Sequence, residues 1–84
     1  MYTEDILLSD IETVKKFVSF ANNFDFPVNI ISGKYVINGK SIMGIFGLDI
    51  TKPIKVEVDE SYPSEFKEQL KKFKFNQSLH SITL

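Results

Sequence analysis

The chain has 84 residues, 43% hydrophobic and 25% charged, a size and balance that fit one folded domain and exclude a disordered chain. It has no cysteine, which excludes thiol catalysis, a disulfide scaffold and thiolate metal sites, and fits a reducing compartment. A formal net charge of -1 supplies no global field toward nucleic acid or anionic lipid. No apolar run approaches the length of a membrane span, so no membrane insertion is expected. The start, MYTED, carries early acids and no basic residue, unlike a secretion signal, so a cytoplasmic protein is expected.

The opening YTEDILLS has an apolar end and reads as an edge strand. SDIETVKKFVSFANNF predicts the first helix. Ser9 followed three residues on by Glu12 has the form of a capping box, which satisfies two free amide donors. Ile11, Val14, Phe17, Val18 and Ala21 recur at helical spacing and predict its buried face. Asn22 and Asn23 suit its end. PVNIISGKYVING reads as a hairpin, with Val28 and Ile30 alternating on one side, Tyr35 and Ile37 on the other, and a two-residue turn at Ser32-Gly33. GKSIMGIFGLDI, Gly39 to Ile50, is too short and too broken by glycine for a long core helix. It predicts about two helical turns from Ser41. After Pro53, IKVEVDE alternates Ile54, Val56 and Val58 with Lys55, Glu57 and Asp59, a half-buried strand with a charged outer face. SYPSEFKEQLKKF predicts the last helix, with Pro63 in its first turn and Phe66, Leu70 and Phe73 as its buried stripe. The tail from about residue 74 has no strong pattern; Leu79, Ile82 and Leu84 either fray or add a strand. The order β-α-β-β-α-β-α, with single-sided strands, implies an α+β domain over residues 1–84: an antiparallel sheet with helices on one face.

The run Lys40-Ser41-Ile42-Met43-Gly44, continued by Gly47-Leu48, resembles the second signature of the HPr family, the small phosphocarriers of the bacterial sugar phosphotransferase system. Phe24-Asp25, Val28-Asn29, Gly33-Lys34 and Val36 agree with family positions without a gap, and the likeness extends to about Phe73. The resemblance implies the HPr-like open-faced β-sandwich, a four-stranded antiparallel sheet with three helices on one face. It also implies proteins of the phosphotransferase system or carbon-regulation proteins as partners. The family's first signature is Gly-Ile/Leu-His-Ala-Arg-Pro-Ala, whose histidine carries the phosphoryl group. Counting back from Ser41, Leu8 stands at its glycine, Asp10 at its histidine, Glu12 at its arginine and Thr13 at its proline. No histidine or arginine occurs before Phe24.

Phosphoryl transfer relies on positive groups around the transferred charge, and two carboxylates repel it. The expectation is therefore a regulatory or protein-binding member in which Asp10 and Glu12 mark a degenerate phosphoacceptor position. The protein is then no enzyme and at most a phosphoryl carrier. The alternative is a phosphocarrier acting in sugar phosphotransfer through another residue. Asp10 itself reads either as an ordinary helix-start acid or, with Glu12, as a mimic of the phosphorylated state. Ser41 matches the serine that a dedicated kinase phosphorylates in some family members; the hydroxyl is also a good helix cap. Ile45 and Leu48 read as core. Ile42, Met43 and Phe46 match the family's docking patch, with Lys15 and Lys16 completing it; burial and solvated lysines are the alternatives. His80 reads as a tail residue rather than a displaced acceptor. Gly39-Lys40-Ser41 is no phosphate-binding loop, since Lys34 stands where its first glycine belongs. No carboxylate or histidine spacing suggests a metal site, and no cofactor is implied.

Overall fold

A computed structural model gives the architecture and describes residues 1–59 and 63–74. In chain order the elements are β1 (Tyr2–Ile6), α1 (Ile11–Asn22), β2 (Asn29–Ser32), β3 (Tyr35–Asn38), α2 (Ile42–Phe46), β4 (Ile54–Val58) and α3 (Ser64–Leu70), with a closing 3-10 turn over Lys71–Phe73. The four strands form one antiparallel sheet in the order β1-β4-β2-β3. The alternation read in β4 sets the two faces. Ile54, Val56 and Val58 pair with Ile6, Glu4 and Tyr2 on one side, and Val56 pairs with Ile30 on the other. Those rows lie under the helices. Lys55 and Glu57 pair with Asp5 and Thr3 on the opposite, open face.

The helices bury one shared core: Val14, Phe17, Phe20 and Ala21 of α1, Ile45 of α2, and Phe66 and Leu70 of α3. Its centre is a set of phenylalanine rings. Phe20 stacks on Phe66 at 5.1 Å between centroids and lies 5.9 Å from Phe17, which meets Phe73 edge-on at 5.5 Å. Rings at such distances add specific edge and offset contacts to the area they bury. The end of the last helix returns to the edge strand, where the Leu7 amide donates to the Phe73 carbonyl at 3.0 Å and Ile6 bridges Lys74.

Five local expectations are corrected. The cap of α1 is Asp10, not Ser9: the Asp10 Oδ1 accepts from the Thr13 amide at 2.8 Å. Ser9 sits one residue earlier at φ 58°, inside a three-residue turn that the Asp10 amide closes onto the Leu8 carbonyl at 2.7 Å. Ile11 is exposed rather than core, and Phe20 takes its place on the buried stripe. The hairpin turn is Gly33-Lys34, with Ser32 and Tyr35 paired across its mouth. Gly33, at φ 60°, supplies the positive φ that the first turn position needs. Tyr35 is exposed at the hairpin tip while Ile37, in the same strand, packs against the core. The second helix is also shorter than two turns. The expectations for Leu79, His80, Ile82 and Leu84 lie outside the described residues. Among the described residues, no helix is long and apolar enough to cross a membrane.

Candidate functional site

Two hydrogen bonds fix where α2 lies. Asn22, the last residue of α1, donates its side-chain amide to the Lys40 carbonyl at 3.2 Å, and the Ser9 amide donates to the Ile50 carbonyl at 2.9 Å. The segment from 40 to 50 therefore runs antiparallel to α1, entering beside its C-terminal end and leaving beside its start. The Lys40 ammonium is turned back onto the Phe24 carbonyl just past the end of α1. It thereby satisfies a carbonyl at a helix end that has no basic residue in its last turn.

Ser41 caps α2: its Oγ accepts from the Gly44 amide at 3.2 Å. A side chain at Gly44 would come within 2.9 Å of the Ile37 Cγ2, so glycine at this point lets α2 lie close on β3. With Ile45 buried beneath, the outer side of α2 presents Met43, 78% exposed, and Phe46, 42% exposed. Ile42 is half-buried and packs against the core, and so does Leu48. Replacing Ser41 by alanine removes a cap from a five-residue helix and is expected to cost about 1 kcal/mol in denaturant unfolding, with Ser41→Asp close to wild type.

On α1, positions 11, 15, 18 and 22 recur at helical spacing, so Ile11, Lys15, Val18 and Asn22 share the strip that flanks α2. Ile11 is 57% exposed there. Lys15 and Lys16 are both exposed, but Lys16 is turned about 100° further round the helix, away from α2. Only Lys15 thus joins Met43 and Phe46 on one face. Ile11 and Asn22 were missed as surface residues of this site. The signal was present, since Ile11 shares its strip with the polar Lys15 and Asn22.

At the start of α1, Asp10 and Glu12 stand where α1 meets the exit of the 40–50 segment. The Thr13 amide, then the Thr13 hydroxyl and, more weakly, the Lys16 charge hold the Asp10 carboxyl below its ordinary value of 3.8. A lowered folded value means that the cap's stabilisation is present above about pH 3.8 and is lost as pH falls through the folded value. Asp10→Ala is expected to lower the Tm by several degrees at neutral pH, while Asp10→Ser, which still caps, does not. The gap between Asp10→Ala and wild type should close in strong acid, as scanning calorimetry across pH can check. Asp49, beside this corner, is likewise lowered, first by the Thr51 hydroxyl and then by the Thr51 amide. The chain contains ten basic residues, all lysine, and its one histidine is His80. A depression of about 170 Å³ lined by Met1, Pro27, Asn29, Glu57, Val58 and Asp59 shares none of these side chains.

A four-stranded antiparallel sheet with three helices on one face is the open-faced β-sandwich fold of the HPr phosphocarriers. The profile of the family described as PTS HPr component phosphorylation site matches residues 12–74, or 63 of the 84 residues. The chain belongs to the HPr family, whose members are phosphocarriers of the phosphotransferase system rather than enzymes. The matched span begins at Glu12 and leaves out β1 and Asp10. Among solved structures, the phosphocarrier protein HPr of Bacillus anthracis is similar at 26% identity and TM-score 0.70, over 88% of this chain and 96% of that one. HPr-C-His from Thermoanaerobacter tengcongensis shares the fold at 22% identity and TM-score 0.70, over 83% and 86%. The histidine-containing phosphocarrier protein of a mycoplasma shares it at 17% identity and TM-score 0.68, over 84% and 89%. No curated protein matches the chain.

Proposed function

We propose that this chain is an HPr-family protein that acts by binding other proteins and does not carry a phosphoryl group. The observation that supports this most is the corner at the start of α1. The side chain there is Asp10, committed to capping the helix, with Glu12 two residues on and no arginine in the chain. A histidine in that place makes a labile phosphoramidate near neutral pH. Asp10 offers instead a carboxylate already hydrogen-bonded to Thr13, and Glu12 brings a second negative charge toward any incoming phosphate. The helix start alone remains as a favourable dipole.

The docking surface in this reading is the face of α2 with the strip of α1 beside it. Met43 and Phe46 form its apolar part, with Ile42 behind them and Lys15 alongside; Lys16 lies off this face. Partners are proteins of the phosphotransferase system or of carbon regulation, met in the cytoplasm. Ser41 is a candidate regulatory phosphorylation site, since a phosphate on its Oγ would stand at the edge of the same face and change any interface formed over it. Treatment with ATP and the cognate kinase, read by intact mass, should add one phosphate at Ser41; no addition leaves Ser41 as a cap alone.

Incubation with phosphoenolpyruvate and Enzyme I tests the main reading, with the Bacillus anthracis phosphocarrier as a positive control. The expected result is no label on this chain. Stoichiometric label overturns it, and the chemistry of the bond then names the acceptor: an acyl phosphate at Asp10 is cleaved by hydroxylamine, whereas a phosphoramidate at His80 survives alkali.

A further inference from the structure

We infer that the face built by α1 and the 40–50 segment receives a protein surface in which an apolar ridge is flanked by arginine or lysine. This rests on the binding reading above and names the chemistry of the partner. Three large apolar side chains are exposed there. Met43 and Phe46 lie one turn apart on the outer side of α2, and Ile11 opens the flanking strip of α1. The antiparallel run of the 40–50 segment brings its exit, just beyond Phe46, to the end of α1 that carries Ile11. A monomer gains nothing by holding such groups in water, and their burial is what a partner supplies.

The charges on that face select which partner. Asp10, Glu12 and Asp49 gather at the end where Ile11 lies. Among the described residues Asp10 is engaged by Thr13, with the Lys16 charge acting on it more weakly. Asp49 accepts from the Thr51 amide and hydroxyl and meets Lys52 at 3.9 Å, with the Asp49 and Lys52 side chains well exposed. Glu12 has no hydrogen bond or ion pair among the described residues. Lys15 and Lys16 both stand one turn along α1 from Glu12, Lys16 acts weakly on Asp10, and the Lys40 ammonium is occupied by the Phe24 carbonyl. A partner that covers Ile11 must therefore also dehydrate a carboxylate, that of Glu12, which no described residue pairs. That is unfavourable unless the partner brings a cation to it. An acidic partner, or one that arrives with a phosphoryl group, meets repulsion at the same point. Charge complementarity at such a rim governs specificity and association rate more than raw affinity.

The experiment selects displayed amphipathic helical peptides of randomised surface against the whole chain, then measures the winners by calorimetry against variants. Selected peptides should carry arginine or lysine beside an apolar ridge. Ile11→Ser/Met43→Gln should weaken them at least about tenfold, and so should Asp10→Ser/Glu12→Gln at low salt, with the second loss shrinking as salt rises. Lys55→Gln, on the open sheet face, should leave binding unchanged. Asp10→Ser keeps the helix cap, so an unaltered circular dichroism spectrum separates charge from folding. Neutral or acidic winners that map to the patch overturn this inference and leave the binding reading standing. Winners that are insensitive to the patch variants overturn it too, as does sedimentation showing the patch covered by a second copy of the chain.

Discussion

Phe17→Ala is expected to remove about 3–5 kcal/mol from the unfolding free energy, most of what a domain of this size possesses. Phe17 is fully buried near the centre of the helix-covered layer, with Phe20 and Phe73 rings at 5.9 and 5.5 Å. Removing the ring deletes its buried area and leaves a void that neighbouring rings fill only in part. The void cannot collapse easily, because Phe20 is itself held by Phe66 at 5.1 Å and Phe24 at 5.4 Å. Urea denaturation should show the midpoint falling steeply with little change in slope. Phe24→Ala makes the comparison informative. Its side chain is half-buried, so its loss should be clearly smaller. Equal losses for the two would mean that the ring cluster is not organised around Phe17.

That core was legible from period alone. Ile54, Val56 and Val58 alternate strictly, and an alternating strand with one charged face leaves a single assignment for the sheet. Val14, Phe17 and Ala21 fixed the α1 stripe in the same way. The departures are at element ends, where period has little to work on. Ser9 and Asp10 are both good caps, and which one closes the helix is decided by tertiary contact. The Ser9 amide is taken by Ile50, from a segment some forty residues away, and Ser9 adopts a left-handed backbone to reach it. Once Ser9 is so held, Asp10 is the first residue free to cap. Ile11 falls outside the buried stripe because helical spacing puts it on the strip of Lys15 and Asn22, off the line of Val14, Phe17 and Ala21. Gly33-Lys34 was misread by one position, although the glycine that the turn needs was correctly found.

The candidate site was legible to a different extent. The run from Lys40 to Gly44 carried the resemblance, and four of its five residues have a physical task in the fold. Lys40 satisfies the Phe24 carbonyl, Ser41 caps α2, Ile42 packs inward, and Gly44 clears Ile37. Met43 has no such task, since it is the most exposed large apolar residue among the described residues. What sequence could not give was the antiparallel placement of the 40–50 segment along α1. That rests on two hydrogen bonds between residues distant in the chain, and it places the end of α1 that carries Ile11 beside the exit of the 40–50 segment.

The pair Asp10→His/Glu12→Arg is expected to turn the chain into a phosphoryl acceptor. In the binding reading proposed above, the corner offers a helix start with free amides but the wrong sign of charge. Asp10→His alone supplies a nucleophile and leaves Glu12 facing the phosphate, so labelling by phosphoenolpyruvate and Enzyme I should be slow. Adding Glu12→Arg changes the local charge by two units and gives the transferred phosphoryl a bidentate cation. Placing one well-aimed positive or donor group on developing charge is worth on the order of 10²-fold in rate, so the double variant should outpace the single by about that factor. The Thr13 amide donates to the side chain of residue 10, which should also orient a histidine there. The label should behave as a phosphoramidate, lost in acid and kept in alkali. Equal rates for single and double variants would remove Glu12 from the explanation. No label on the double variant, with folding intact, would mean that Enzyme I does not recognise the α1–α2 face, and that the acid pair is not what keeps this chain from carrying phosphate.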